Sequence, residues 1–224
     1  MVMKRSLPNL NWVEGFSVRL SQLPQLQGDD DHDPMLKSFR CLLEEYGRHM
    51  ARLAHTLFDV LITNLGMDPA LCAPYLSEST GYLRLYRYPP YPDPDQVSGL
   101  EAHTDSSVLS ILNENVVGGL QVFKDERWID IKPVSDTLVV NMGDMMQAIS
   151  NDEYKSVLHR VLALKREERF SICYFVYPPG DLMIQSTNYR PFTYNMYMDQ
   201  VREDRETIGG KVGLPRFMLS EPLN

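Results

Sequence analysis

Cysteine is scarce in this sequence: there are three, Cys41, Cys72 and Cys173, odd in number and far apart. Without a CxxC pair, neither a zinc ribbon nor a disulfide framework is expected, and a reducing compartment is the simplest setting. Long apolar runs are missing as well. No stretch reaches about 18 apolar residues, and no apolar segment follows Lys4 and Arg5. Neither a membrane span nor a signal peptide is therefore expected, and the cytoplasm is the default location. Basic residues are outnumbered 22 to 30, for a formal charge of −8. A chain without a basic stripe is poorly equipped to hold phosphates, which argues against nucleic acid or anionic membranes as partners. The one basic cluster, Lys165, Arg166 and Arg169, is interrupted by Glu167 and Glu168 and reads as a solvated loop. There is no internal repeat and no low-complexity block. What remains is 224 residues, 43% hydrophobic, enough for one good core and a small appendage, with a monomer expected.

The chain divides by texture into three stretches. Residues 1–34 read as irregular, with an acidic run of Asp29, Asp30, Asp31, His32 and Asp33 before Pro34. Its plain explanation is helix entry: Asp33 as N-cap, Pro34 as first helical residue, and the other acids near the positive end of the helix dipole. Residues 35–66 predict one long amphipathic helix, with Met35, Phe39, Leu42, Leu43, Tyr46, Met50, Leu53, Leu57, Val60 and Leu61 at steps of three and four. Gly66 fits its C-terminal cap. His49 and His55 fall on it six apart, share no face and read as structural.

From residue 81 the texture becomes β-rich. Strands are predicted at 81–88, 107–112, 119–123, 127–131, 137–141, 157–164 and 170–177, with Lys124-Asp125-Glu126 as a hairpin turn. Many short strands at this spacing suggest a sandwich, jelly roll or barrel. A second helix is predicted near 194–208, between Pro191 and Gly209-Gly210.

The sharpest chemical signal is His103-Thr104-Asp105. In an extended strand, residues two apart share a face, so both side chains can meet one ion. Alone the pattern is weak and needs a third ligand. Of the five histidines (32, 49, 55, 103 and 159), only His159 lies in the β region with His103, inside an apolar run. A lone strand histidine is more often a satisfied core or surface residue. Two imidazoles and one carboxylate, however, form a facial triad that leaves positions on iron(II) open for a bidentate cosubstrate and dioxygen. A four-ligand zinc site would leave no such room. Ten residues after His159 comes Arg169-Phe170-Ser171, whose guanidinium and hydroxyl share a strand face and suit a carboxylate. The competing explanation for Arg169 is a structural ion pair with Glu167, Glu168 or another acid.

With these residues in view, 81–177 resembles the core of the plant 2-oxoglutarate/Fe(II)-dependent dioxygenase superfamily, most closely its gibberellin oxidase-like branch. His-x-Asp, a distant His and Arg-x-Ser carry the resemblance. Tyr88-Pro89-Pro90, Val117-Gly118-Gly119-Leu120-Gln121-Val122, Val140-Asn141-Met142-Gly143-Asp144 and Ser150-Asn151-Asp152 extend it. It implies a mainly β fold with flanking helices: a double-stranded β-helix (jelly roll, cupin-like) core with a long N-terminal and a C-terminal helix. It divides the chain into a shortened N-terminal region, 1–80, and a dioxygenase domain, 81–224. His103, Asp105 and His159 would bind Fe(II), and Tyr88, Arg169 and Ser171 would bind 2-oxoglutarate. Dioxygen would be consumed, with ascorbate as reductant. Tyr86 stands where the family pattern has asparagine; it and Phe175 are the candidates for the substrate pocket. The implied reaction is oxidation of a small molecule, such as a gibberellin or another plant hormone or specialised metabolite. Members usually carry a longer region before the helix, so a catalytically silent or incomplete relative is the first alternative. A zinc or manganese enzyme on a similar barrel is the second, although it gives Arg169-Phe170-Ser171 no task. A metal-free binding module is the third.

Overall fold

The computed structural model describes residues 11–26, 33–77, 80–94 and 97–219. Residues 29–32 of the acidic run lie outside the described residues; Asp33 does not. Its carboxylate accepts from the backbone N–H groups of Met35 (2.8 Å) and Leu36 (3.3 Å), and Pro34 opens helix α1 (Pro34–Asn64). Gly66, at φ +70°, closes the helix in the left-handed region where a side chain is disfavoured.

The buried stripe of α1 is rotated from the one the apolar positions predict. Ala51, Ala54, Phe58 and Ile62 lie in the core, whereas Met35, Leu42 and Val60 are exposed. Small residues did not weigh in the apolar count, yet they let the helix sit close: a Cβ on Gly47 would lie 2.4 Å from the Leu20 side chain.

Two antiparallel sheets form the body. The larger has the order β1 (Glu14–Arg19), β2 (Tyr82–Tyr88), β9 (Arg169–Val176), β4 (Leu109–Glu114) and β7 (Val139–Met142). The smaller runs β3 (Ser98–His103), β8 (His159–Leu162), β5 (Leu120–Lys124) and β6 (Arg127–Asp130). Between β5 and β6, Asp125 and Glu126 have φ of +49° and +61° and form a two-residue hairpin turn, one residue shorter than the expected Lys124-Asp125-Glu126 because Lys124 pairs with Arg127. Short elements complete the chain: α2 (Pro69–Cys72), α3 (Asp144–Ile149), β10 (Met183–Ile184), β11 (Phe192–Thr193) and α4 (Tyr194–Ile208). The last matches the predicted helix, and Gly209 at φ +79° ends it.

Period-two alternation gives the larger sheet two different faces. Leu83, Leu85, Leu109, Ile111, Ile172, Tyr174 and Val176 join α1 in the main core. On the other face, Tyr86, Tyr88, Leu112 and Val139 meet Leu100, Leu120 and Val161 of the smaller sheet. Arg169, Ser171, Cys173 and Phe175 alternate with the core residues of β9 and so belong to this inner face.

Strand β1 corrects the expectation that residues 1–34 are irregular. It pairs with β2 from Glu14↔Arg87 to Arg19↔Tyr82. Only Val18 is buried among its six residues, so hydrogen bonding to β2, invisible in a local hydrophobic pattern, is what makes it a strand.

Candidate active site

His103 and His159 are direct cross-strand partners on β3 and β8, with ring centroids 4.3 Å apart. Asp105 arrives differently from the expectation. Strand β3 ends at His103, so the two residues do not share a strand face. Asp105 sits in the following loop, and its Oδ1 lies 3.7 Å from His103 Nε2 and 3.8 Å from His159 Nε2. The three ligand atoms all fall within 4.8 Å of one another.

Each ligand atom is left free because the other polar atom of its side chain is occupied. His103 Nδ1 is 2.7 Å from the Glu101 carbonyl and His159 Nδ1 is 3.0 Å from that of Val157. A carbonyl only accepts, so Nδ1 carries the proton and Nε2 presents its lone pair. Ser110 donates to Asp105 Oδ2 at 2.5 Å, which leaves Oδ1. Burial, reinforced by the neighbouring His159, pushes the His103 imidazole below its ordinary value and keeps it neutral. Two imidazoles and a carboxylate, the one such cluster among the described residues, fit one divalent metal with open positions.

The Asp105 loop is braced from behind. Asp144, at the start of α3, is buried and forms a 2.6 Å ion pair with Lys211. Tyr197 on α4 and Thr104 also donate to Asp144. Lys211 donates to the Thr104 carbonyl (2.8 Å) and to Ser106 Oγ (3.1 Å), while the Asp144 N–H reaches the Asp105 carbonyl at 2.8 Å. Gly143 permits this close approach, since a Cβ there would lie 2.0 Å from the Ser107 carbonyl oxygen. The Gly143-Asp144 motif was visible in the sequence. Its connection to Lys211 and Tyr197 was not, because nothing local marks a lysine 67 positions away as its partner.

Arg169, Ser171 and Tyr88 come together as expected. Arg169 is 1% exposed, its Nη1 is 3.3 Å from Ser171 Oγ, and its guanidinium lies 4.7 Å from the Tyr88 ring centre. Burial pushes the Tyr88 phenol up to about 12, so it stays a neutral donor. The ion-pair explanation for Arg169 is also realised, with an acid not singled out. Glu114 accepts from Arg169 Nη2 at 2.6 Å and from Nε at 3.2 Å. Glu168 instead pairs with Arg87.

Tyr86 and Phe175 lie on the same inner face. Both contact Arg84, which sequence reasoning passed over: Arg84 donates to Tyr86 Oη at 3.1 Å and sits 5.5 Å from the Phe175 ring centre. Its Nε is buried without a partner, and among the described residues no carboxylate pairs with it. His49 and His55 remain on α1; His49 pairs with Arg52 and Glu45 at the surface.

Residues 79–178 match the family model described as the 2OG-Fe(II) oxygenase superfamily, and the chain belongs to that superfamily. Among curated proteins it is 40% identical over 217 residues to gibberellin 2-beta-dioxygenase 8 of Arabidopsis thaliana, covering 95% of this chain and 62% of that protein. It is 33% identical over 208 residues to 1-aminocyclopropane-1-carboxylate oxidase 3 of the same plant, covering 88% and 64%. Among solved structures, JOX2 in complex with 2OG, Fe and JA superposes with a TM-score of 0.80 at 31% identity, over 94% of this chain and 65% of that one. A rice dioxygenase for auxin oxidation gives a TM-score of 0.75 at 25% identity, covering 93% and 74%. The mainly β core with flanking helices is thus the double-stranded β-helix of these oxygenases. The chain spans about 62% of the length of the gibberellin dioxygenases it matches.

Proposed function

We propose that this chain is an Fe(II)- and 2-oxoglutarate-dependent oxygenase of a small organic molecule, with iron held by His103, Asp105 and His159. The convergence of two Nε2 atoms and one carboxylate oxygen, each freed by an occupied partner atom, carries the reading. Bound iron would supply the oxidative decarboxylation of 2-oxoglutarate and the activation of dioxygen. The protein's own contribution is placement. Arg169 and Ser171 hold the far carboxylate by charge-assisted hydrogen bonds, and Tyr88 donates beside them. Burial of the inner face keeps water from the reacting atoms.

For the substrate, Arg84 is the informative residue. A half-buried guanidinium with a free, buried Nε, within 5.5 Å of the Tyr82 and Phe175 ring centres, favours an acidic, largely apolar molecule. Gibberellin-type acids, named in the curated relatives, and other acidic plant hormones fit that description. Tyr86 and Phe175 would line the same pocket. Ascorbate is the expected reductant. Three unpaired cysteines agree with a cytoplasmic setting, and we take the working form to be a monomer without nucleic-acid or membrane partners. Among the described residues, no helix is long and apolar enough to cross a membrane.

The test is a visible spectrum recorded without oxygen as Fe(II) and then 2-oxoglutarate are added. A metal-to-ligand charge-transfer band is expected. It should vanish in His159→Ala and need more 2-oxoglutarate in Arg169→Ala. A folded, iron-loaded protein with no band would remove the assignment.

A further inference from the structure

We propose that Glu114 is a built-in competitor for the far carboxylate of 2-oxoglutarate, and that it sets how strongly this chain prefers a dicarboxylate to a monocarboxylate 2-oxo acid. The inference rests on the reading of Arg169 as the cosubstrate clamp.

Arg169 has five N–H donors in a fixed fork. Glu114 Oε2 takes the edge formed by Nε (3.2 Å) and Nη2 (2.6 Å), while Ser171 meets Nη1. The Nη1 side therefore remains for a ligand. The charge is another matter. The two side chains are 1% and 5% exposed, so little water screens the pair and the guanidinium is already neutralised before any ligand arrives. A second carboxylate on the open edge would share one positive charge with Glu114 and be repelled by it.

The position of Glu114 is fixed. It is the register partner of Ser171 in the β4–β9 ladder. The next residue, Asn115, pins the strand end on both sides of Arg169. Its amide donates to the Glu168 carbonyl at 3.1 Å, its side-chain oxygen accepts from the Phe170 N–H at 3.3 Å, and its own N–H reaches the Phe170 carbonyl at 3.1 Å. Nor is the carboxylate fully satisfied: Oε1 is buried with no partner, so only one of its oxygens is used to hold Arg169. A neutral amide could accept the same two hydrogen bonds through one oxygen, so the charge is not needed for the support.

The test measures affinity rather than turnover. The Fe(II)-loaded chain, kept under nitrogen, is titrated by calorimetry with 2-oxoglutarate and with 2-oxopentanoate, which keeps the 2-oxo acid end and ends in a methyl. The ratio of the two dissociation constants isolates the far end of the ligand. Glu114→Gln is expected to raise the preference for 2-oxoglutarate by about tenfold, the size of one hydrogen bond to a charged group. An unchanged or smaller preference would overturn the proposal and leave Glu114 as a support for Arg169. Should Glu114→Gln not fold, Glu114→Met removes the same charge at similar length, with the same direction expected. Arg169→Ala separates this proposal from the reading beneath it. Loss of the preference in that variant upholds the clamp, whereas an unaltered preference would overturn both.

Discussion

The candidate metal site on the smaller sheet and the candidate carboxylate clamp on the larger differ in how their functional atoms are prepared. At the metal end, every neighbour leaves the reactive atom open: carbonyls take the Nδ1 protons, Ser110 takes one Asp105 oxygen, and the Lys211–Asp144 pair holds the loop from behind. At the clamp end, the reactive group is already engaged, with Glu114 on the Arg169 guanidinium. The first end is built to bind tightly what it meets. The second lowers its own attraction for an anion. Preorganisation thus marks the site on the smaller sheet and self-neutralisation the one on the larger, and burial alone does not distinguish them.

The sharpest way to break this contrast is to remove the brace of the metal end. Lys211→Met leaves the Asp144 carboxylate buried without its cation, a change that costs about 3 kcal/mol or more when one partner of a buried pair is lost. Urea denaturation should show that fall, with metal affinity falling alongside it. Unchanged stability would mean that the Asp105 loop needs no brace. A smaller change is Ser110→Ala, which releases Asp105 Oδ2. Metal affinity should drop by about tenfold, as is typical when a hydrogen bond to a ligand is removed, with folding stability little altered. Equal affinity in the two proteins would show that Asp105 is oriented by its loop alone.

The smallest effect expected is that of pH. His103 is held below its ordinary 6.5 by burial and His159. The folded chain therefore resists protonation there. Stability contributed by this group is present above the unfolded value and is lost as pH falls through the lower folded value. Metal affinity measured from pH 8 downward should show proton competition at His103 Nε2 only below its ordinary 6.5. A steep loss already above pH 7 would contradict the burial assigned to this imidazole. At the clamp end, Glu114→Gln sharpens the comparison from the other side.

Much of this was legible in the residues themselves. The period-two runs of β2, β4 and β9 and the two-residue turn at Asp125-Glu126 are local and read directly. So did Asp33-Pro34, because capping is a local contact. The candidate site residues were chosen by type and spacing, but the way His103 and Asp105 converge was not foreseen. Asp105 is placed by a loop and a distant ion pair rather than by strand alternation. Arg84 sat unnoticed in the middle of a strand, since a charged residue in an alternating pattern reads as outward until the second sheet is in place. Glu114 was hidden for a similar reason: its partner is set by the β4–β9 register, 55 positions away.

Lys211 has one more consequence. It lies past α4, well beyond the residues by which this superfamily is recognised in a sequence, yet it ties down the loop that carries Asp105. A transcript spliced to stop after Gly210 would still contain His103, Asp105, His159, Arg169 and Ser171 and would pass any motif scan. During synthesis, likewise, the ligand set is complete in sequence long before the residue that steadies it leaves the ribosome. Counting motif residues therefore overstates how early, and in how short a chain, the Asp105 loop is set.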